Sequence, residues 1–93
     1  MHETAIIRDL VRHMVDLANS SGTRRIARAK VWLGALSHLS ADHFREHFAA
    51  EAQGSLAAGA ALDVEVSDDT KHPHAQQVRL ESIEIEEEPV SVT

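Results

Sequence analysis

The hydrophobic period of this chain changes between Ser20 and Arg25, and that change limits it to folds that mix helix with sheet. From Thr4 to Ser20 the apolar residues Ile6, Ile7, Leu10, Val11, Met14, Leu17 and Ala18 recur at helical spacing, with Arg8, Asp9, Arg12, His13 and Asp16 between them. One stripe of this helix must face a core. Asn19, Ser20, Ser21 and Gly22 carry turn and C-cap chemistry, which ends it. Between Arg25 and Leu36 the period drops to two. Ala27, Ala29, Val31 and Leu33 alternate with Arg28, Lys30 and Trp32, the pattern of a half-buried strand with Trp32 on its polar side.

A second helix follows, capped by Ser40 or Ser37 and running to about Gln53, with Phe44 and Phe48 four residues apart on its inner face. Gly54 stops it. Leu62, Val64 and Val66 alternate with Asp63 and Glu65 as a second strand, and Asp68 to Ala75, with Pro73, forms a turn. The last strand carries Val78 and Leu80 on one parity but Ile83 and Ile85 on the other, which predicts a bulge or twist near Ser82. The order helix, strand, helix, strand, strand predicts a single domain over residues 1–93. Its fold class is α+β: two layers, with two helices packed on a three-stranded mixed β-sheet, and the second helix as a right-handed crossover between two strands.

Composition narrows the chemistry. At 93 residues only about two thirds of the unfolded surface can be buried, so the core is modest. A hydrophobic share of 43% against 26% charged is nonetheless ordinary globular usage, and the chain should fold. The formal net charge of −6 argues against nucleic acid, whose recognition rests on clustered Lys and Arg. The chain contains no cysteine. That removes disulfides, thiolate nucleophiles, iron–sulfur ligation and cysteine zinc sites together, so any metal must be held by nitrogen and oxygen. The first residues contain no long apolar run, so neither a signal peptide nor a membrane span is expected, and the expected location is cytoplasmic. No nucleophile triad, phosphate-cradling glycine loop or paired-carboxylate motif is visible, and a non-enzymatic role is expected.

The chain begins Met1-His2-Glu3 ahead of its amphipathic helix, and in this it resembles the HypA/HybF family of hydrogenase nickel-incorporation (maturation) proteins. The resemblance continues in Val31-Trp32-Leu33-Gly34-Ala35-Leu36-Ser37, similar to the family's strand ending in Gly-Glu-Leu-Ser, and in Phe44 and Phe48 of the next helix. Gly59-Ala60-Ala61-Leu62-Asp63-Val64-Glu65 resembles the following family strand, and Leu80-Glu81-Ser82-Ile83-Glu84-Ile85-Glu86 the final one. Nearly the whole chain is covered, in order. The resemblance implies a metallochaperone that binds Ni(II) at Met1, His2 and Glu3. It would pass the ion, with a nickel-incorporation GTPase of HypB type as partner, toward the [NiFe]-hydrogenase large subunit.

Two departures stand out. The family inserts a zinc module with two Cys-x-x-Cys pairs between its last two strands, whereas here that interval is Ser67 to Gln76 and has no cysteine. A turn of this size can close an antiparallel hairpin directly, so the chain looks like a short form of the family with no structural zinc. The second departure is Ala35, which stands where the family has Glu.

A peptide that begins X-His offers a primary amine, the His2 amide nitrogen and the His2 imidazole, which form fused chelate rings around one divalent ion. The backbone or carboxylate of Glu3 supplies a fourth ligand. This tetragonal nitrogen and oxygen set suits Ni(II) or Cu(II), and nickel is chosen by the resemblance rather than by geometry. The plainer alternative is that His2 is a frayed terminal residue and Glu3 simply favours the first helical turn through the macrodipole.

The other histidines carry less. His43 and His47 share one helix face, but with no His-Glu-x-x-His arrangement and no third ligand evident in the sequence they read as a solvated face. His72 and His74 flank Pro73 and read as loop histidines, while His13 and His38 belong to no constellation. Trp32, beside Lys30 and Arg28, either anchors a partner or packs beneath the chain termini. An exposed edge of so small a sheet can pair with a second copy and give a homodimer. Two competing functions remain in view: a metal-independent adaptor or assembly scaffold in hydrogenase maturation, and a metal buffer built on His38, His43, His47, His72 and His74.

Overall fold

The structure, a computed structural model, describes residues 3–22 and 24–86. Its elements are α1 (Glu3–Ser20), β1 (Ile26–Leu33), α2 (Ala41–Ala52), β2 (Ala61–Val66) and β3 (Val78–Ile85). This is the expected α+β arrangement of two helices on a three-stranded mixed sheet. Helix α1 buries Ile7, Leu10, Val11, Met14 and Ala18, one stripe at 3.6-residue spacing. It ends where Gly22 takes φ 101°, a left-handed conformation that glycine adopts without steric cost. Helix α2 starts at Ser40, whose Oγ accepts the His43 backbone N–H at 3.1 Å, satisfying one orphan donor of the first turn. Ser40 is therefore the cap and Ser37 is not. Ser37 is buried, and its Oγ has no hydrogen-bond partner among the described residues.

The core lies between the helices and one sheet face. Phe44 and Phe48 meet there with ring centroids 5.9 Å apart, together with Ile7, Met14, Val31 and Leu33, which are wholly buried or nearly so. Helix α1 lies toward β3 and α2 toward β2, and the two helices pack on each other.

Strand order is β2-β1-β3, with β1 parallel to β2 and antiparallel to β3. The direct β2–β3 hairpin expected across Ser67 to Gln76 is thus not formed. The physical reason is the content of β1, which buries Ile26, Ala29, Val31, Trp32 and Leu33 and is the most apolar strand. In the centre it pairs its backbone groups on both edges and its core face is covered by the helices, with Trp32 covered on the other; the more polar β2 and β3 take the edges. The ladder between β1 and β3 contains two register shifts, one at Ala27 and one at Glu81. Each strand changes parity at its own shift, so that Ile26, Ala29, Val31 and Leu33 stand opposite Ile85, Ile83, Leu80 and Val78 in turn. The irregularity expected near Ser82 is present. The shift in β1 has a further effect: Ile26 takes the core position and Ala27, expected inside, is exposed.

Residues 67–77 cross the end of β1 instead of closing a hairpin. Ser67 N–H donates to the Leu33 carbonyl at 2.9 Å, Gly34 N–H to Gln77 at 2.9 Å and Leu36 N–H to Ala75 at 2.7 Å. This segment covers Trp32. Its indole is 8% exposed and lies 4.8 Å, centroid to centroid, from the His72 ring. Trp32 is therefore not an exposed anchor; among the described residues it fills the outer sheet face under the β2–β3 connection. The rest of that face is polar, with Arg28 reaching Asp63 on β2 at 3.0 Å and Glu84 on β3 at 3.9 Å. No helix among the described residues is long and apolar enough to cross a membrane.

Candidate metal centre

Of the three residues expected to hold metal, Met1 and His2 lie outside the described residues, and Glu3 opens α1. A carboxylate in the first turn is favoured by the unpaired N–H groups of that turn. The Glu3 side chain does not simply face solvent. Its Oε2 lies 3.4 Å from His43 Nε2, and His43 Nε2 lies 2.8 Å from His47 Nε2.

Helix geometry explains the pair: residues four apart on α2 share a face, and the rings meet at 4.5 Å between centroids. The meeting with Glu3 is tertiary. Burial of Phe44 and Phe48 against α1 turns the face carrying His43 and His47 toward the first turn of α1. Further along, Arg8 of α1 donates through Nε and Nη2 to the Glu51 carboxylate at 3.2 and 3.3 Å. That hydrogen bond, with the Glu51 charge, raises the Arg8 pKa above its already high ordinary value. An exposed pair of this kind adds little stability, but it marks the register between the helices.

Among the described residues Glu3, His43 and His47 form the one cluster of three metal-ligating side chains, with no two donor atoms more than 4.8 Å apart. All three are partly accessible; the Glu3 and His43 side chains are 33% and 43% exposed. The third donor not evident beside His43 and His47 in the sequence is the carboxylate of Glu3, forty residues upstream of His43. No local signal announces it. His72 and His74 are apart from this cluster: His74 N–H donates to His72 Nδ1 at 3.0 Å, the two rings are 5.7 Å apart, and the His72 ring lies against Trp32.

The chain is thus a small helix-on-sheet domain that gathers imidazole and carboxylate donors, ligand types suited to first-row transition ions, at the start of its first helix. The sequence model of the family described as hydrogenase/urease nickel incorporation, metallochaperone, hypA matches residues 1–72, and the chain belongs to this HypA family. The hydrogenase maturation factor HypA of Chloroflexus aurantiacus is 38% identical over 65 residues, covering 70% of this chain and 57% of that protein. The protein of the same name from Chlorobium limicola is 37% identical over 65 residues, 70% of this chain and 56% of its own length. The chain thus spans little more than half the length of these relatives. The fold is shared with the solution structure of the Ni metallochaperone HypA from Helicobacter pylori, at TM-score 0.74 and 20% identity over 91% of this chain and 97% of that one.

Proposed function

We propose that this chain is a nickel-binding, metallochaperone-like accessory protein for maturation of [NiFe]-hydrogenase. The observation that carries the reading is the family match, which begins at Met1-His2-Glu3. In this reading the Met1 amine, the His2 amide nitrogen and imidazole, and Glu3 hold one Ni(II) as cargo. The GTPase of HypB type and the hydrogenase large subunit are its partners in delivery. The chain carries no catalytic machinery of its own, and residues 1–93 are the nickel-binding-type domain with the zinc module absent between β2 and β3. The fused rings explain why the first residue must keep a free amine: the primary amine anchors the first ring, and once it is acylated that anchor is lost and this chelate opens.

The test is nickel calorimetry combined with the absorption of tetragonal, amide-ligated Ni(II), on untagged protein, a Gly-Ser extended form and His2→Ala. Untagged protein should show the amide-ligated ion, and the other two should lack it. Because the amine, the imidazole and the ligating amide must each release a proton on binding, this affinity should fall as pH drops below about 8, and more steeply below about 6.5, where the imidazole also protonates. Absence of the amide-ligated ion from the untagged protein would overturn the reading and favour the metal-independent adaptor.

A further inference from the structure

We propose that Glu3, His43 and His47 form a second divalent-metal site, distinct from the amino-terminal chelate, that takes a first-row transition ion such as Ni(II) or Zn(II) through two imidazole nitrogens and one carboxylate oxygen. It needs nothing from Met1 or His2.

The donor spacing supports this. Ligand atoms about 2.0–2.1 Å from an ion are roughly 2.9 Å apart at a right angle and about 3.4 Å apart at the tetrahedral angle. Two of the three edges, 2.8 Å between the two Nε2 atoms and 3.4 Å from His43 Nε2 to Glu3 Oε2, fall at these values; the third, from His47 to Glu3, is within 4.8 Å and closes onto a shared ion by side-chain rotation. Protons alone satisfy the cluster poorly. A neutral imidazole nitrogen carries either a hydrogen or a lone pair, so His43 Nε2 can donate to His47 or to Glu3, but it cannot both accept from His47 and donate to Glu3. One cation at the centre satisfies all three atoms at once.

The scaffold is firm. His43 is placed by the Ser40 cap, and Phe44 and Phe48 beside the two histidines are in the core, which packs α2 against α1. Ligands on packed helices hold their geometry better than ligands on loops. Donor type sets the ion class: imidazole suits nickel, zinc and copper, whereas Mg²⁺ and Ca²⁺ want oxygen sets that one carboxylate does not supply. Three protein ligands with partial exposure leave a position for water or for a donor from another molecule, the form of a site that exchanges its ion. Glu3 would serve both places, by its backbone at the terminus and by its carboxylate here.

The experiment uses the full chain with Gly-Ser before Met1, which blocks the amino-terminal chelate, titrated with Zn(II) and with Ni(II) by calorimetry while histidine ring resonances are followed by NMR. The extended wild type should bind one ion per chain and shift the His43 and His47 rings. Loss of an outer-shell partner of a metal ligand costs about 10–100-fold in affinity, so extended Glu3→Gln should weaken binding at least about tenfold. Extended His43→Asn/His47→Asn should lose the site, and the single His47→Gln should weaken it. No ion in the extended wild type, equal affinity in the double variant, or shifts confined to His72 and His74 would each overturn the proposal and leave His43 and His47 as a hydrogen-bonded pair. Untagged His43→Asn/His47→Asn reports on the amino-terminal chelate alone, so the two sites fail independently.

Discussion

Gly34→Ala should unlatch the β2–β3 connection from the end of β1. Gly34 is buried, and a Cβ added to it would overlap the backbone carbonyl of Ala75 and stand 2.8 Å from the His74 carbonyl oxygen. Both obstacles are backbone, so no side-chain rotation relieves the clash. The connection must move away, and in doing so it loses the hydrogen bonds Gly34 N–H to Gln77 and Leu36 N–H to Ala75. At about 0.5–1.5 kcal/mol net each, these cost roughly 1–3 kcal/mol. Re-exposing about 50 Å² of Trp32 as His72 withdraws adds about 1 kcal/mol. Reduced unfolded-state entropy returns about 0.4–1 kcal/mol, leaving a loss of about 2 kcal/mol. In a domain of this size that lowers Tm by roughly 8–16 °C. The assay is a thermal melt by circular dichroism together with tryptophan emission, since Trp32 is the chain's single tryptophan. Emission should shift to the red in the folded variant before any unfolding. A variant with wild-type melting and wild-type emission would refute the close approach of residues 74–77 to β1.

Phe48→Ala removes a ring that is 3% exposed and packed beside Phe44, and it should cost roughly 3–5 kcal/mol, read as a large drop in denaturant midpoint; an unchanged midpoint would show that this face of α2 does not meet the core. Excess chelator should leave the helical circular dichroism unchanged, because the core is built from aliphatic and phenylalanine side chains and the chain has no cysteine to hold structural zinc; loss of helix on chelation would refute it.

Features that live within one element were legible in the sequence, because they follow from spacing along a single backbone. The stripe of α1, a serine cap on α2 at Ser40 or Ser37, the Phe44 and Phe48 face and the parity change of β3 are of this kind, with the structure choosing Ser40. The Met1-His2-Glu3 start and the four segments after it pointed to the family that the comparisons bear out. What the sequence left open was settled by contacts between elements. Periodicity says that a strand has one apolar face, but not which strand takes the centre; β1 does, because it is the most apolar strand and the central place removes more of its surface from water than an edge would. Trp32 sits at a polar-parity position, and only the passage of residues 67–77 over that face encloses it. The cluster of Glu3 with His43 and His47 is the clearest case. Its members lie forty residues apart, and they meet because the core packs α1 on α2 with their first turns side by side, a relation fixed by the burial of other residues altogether.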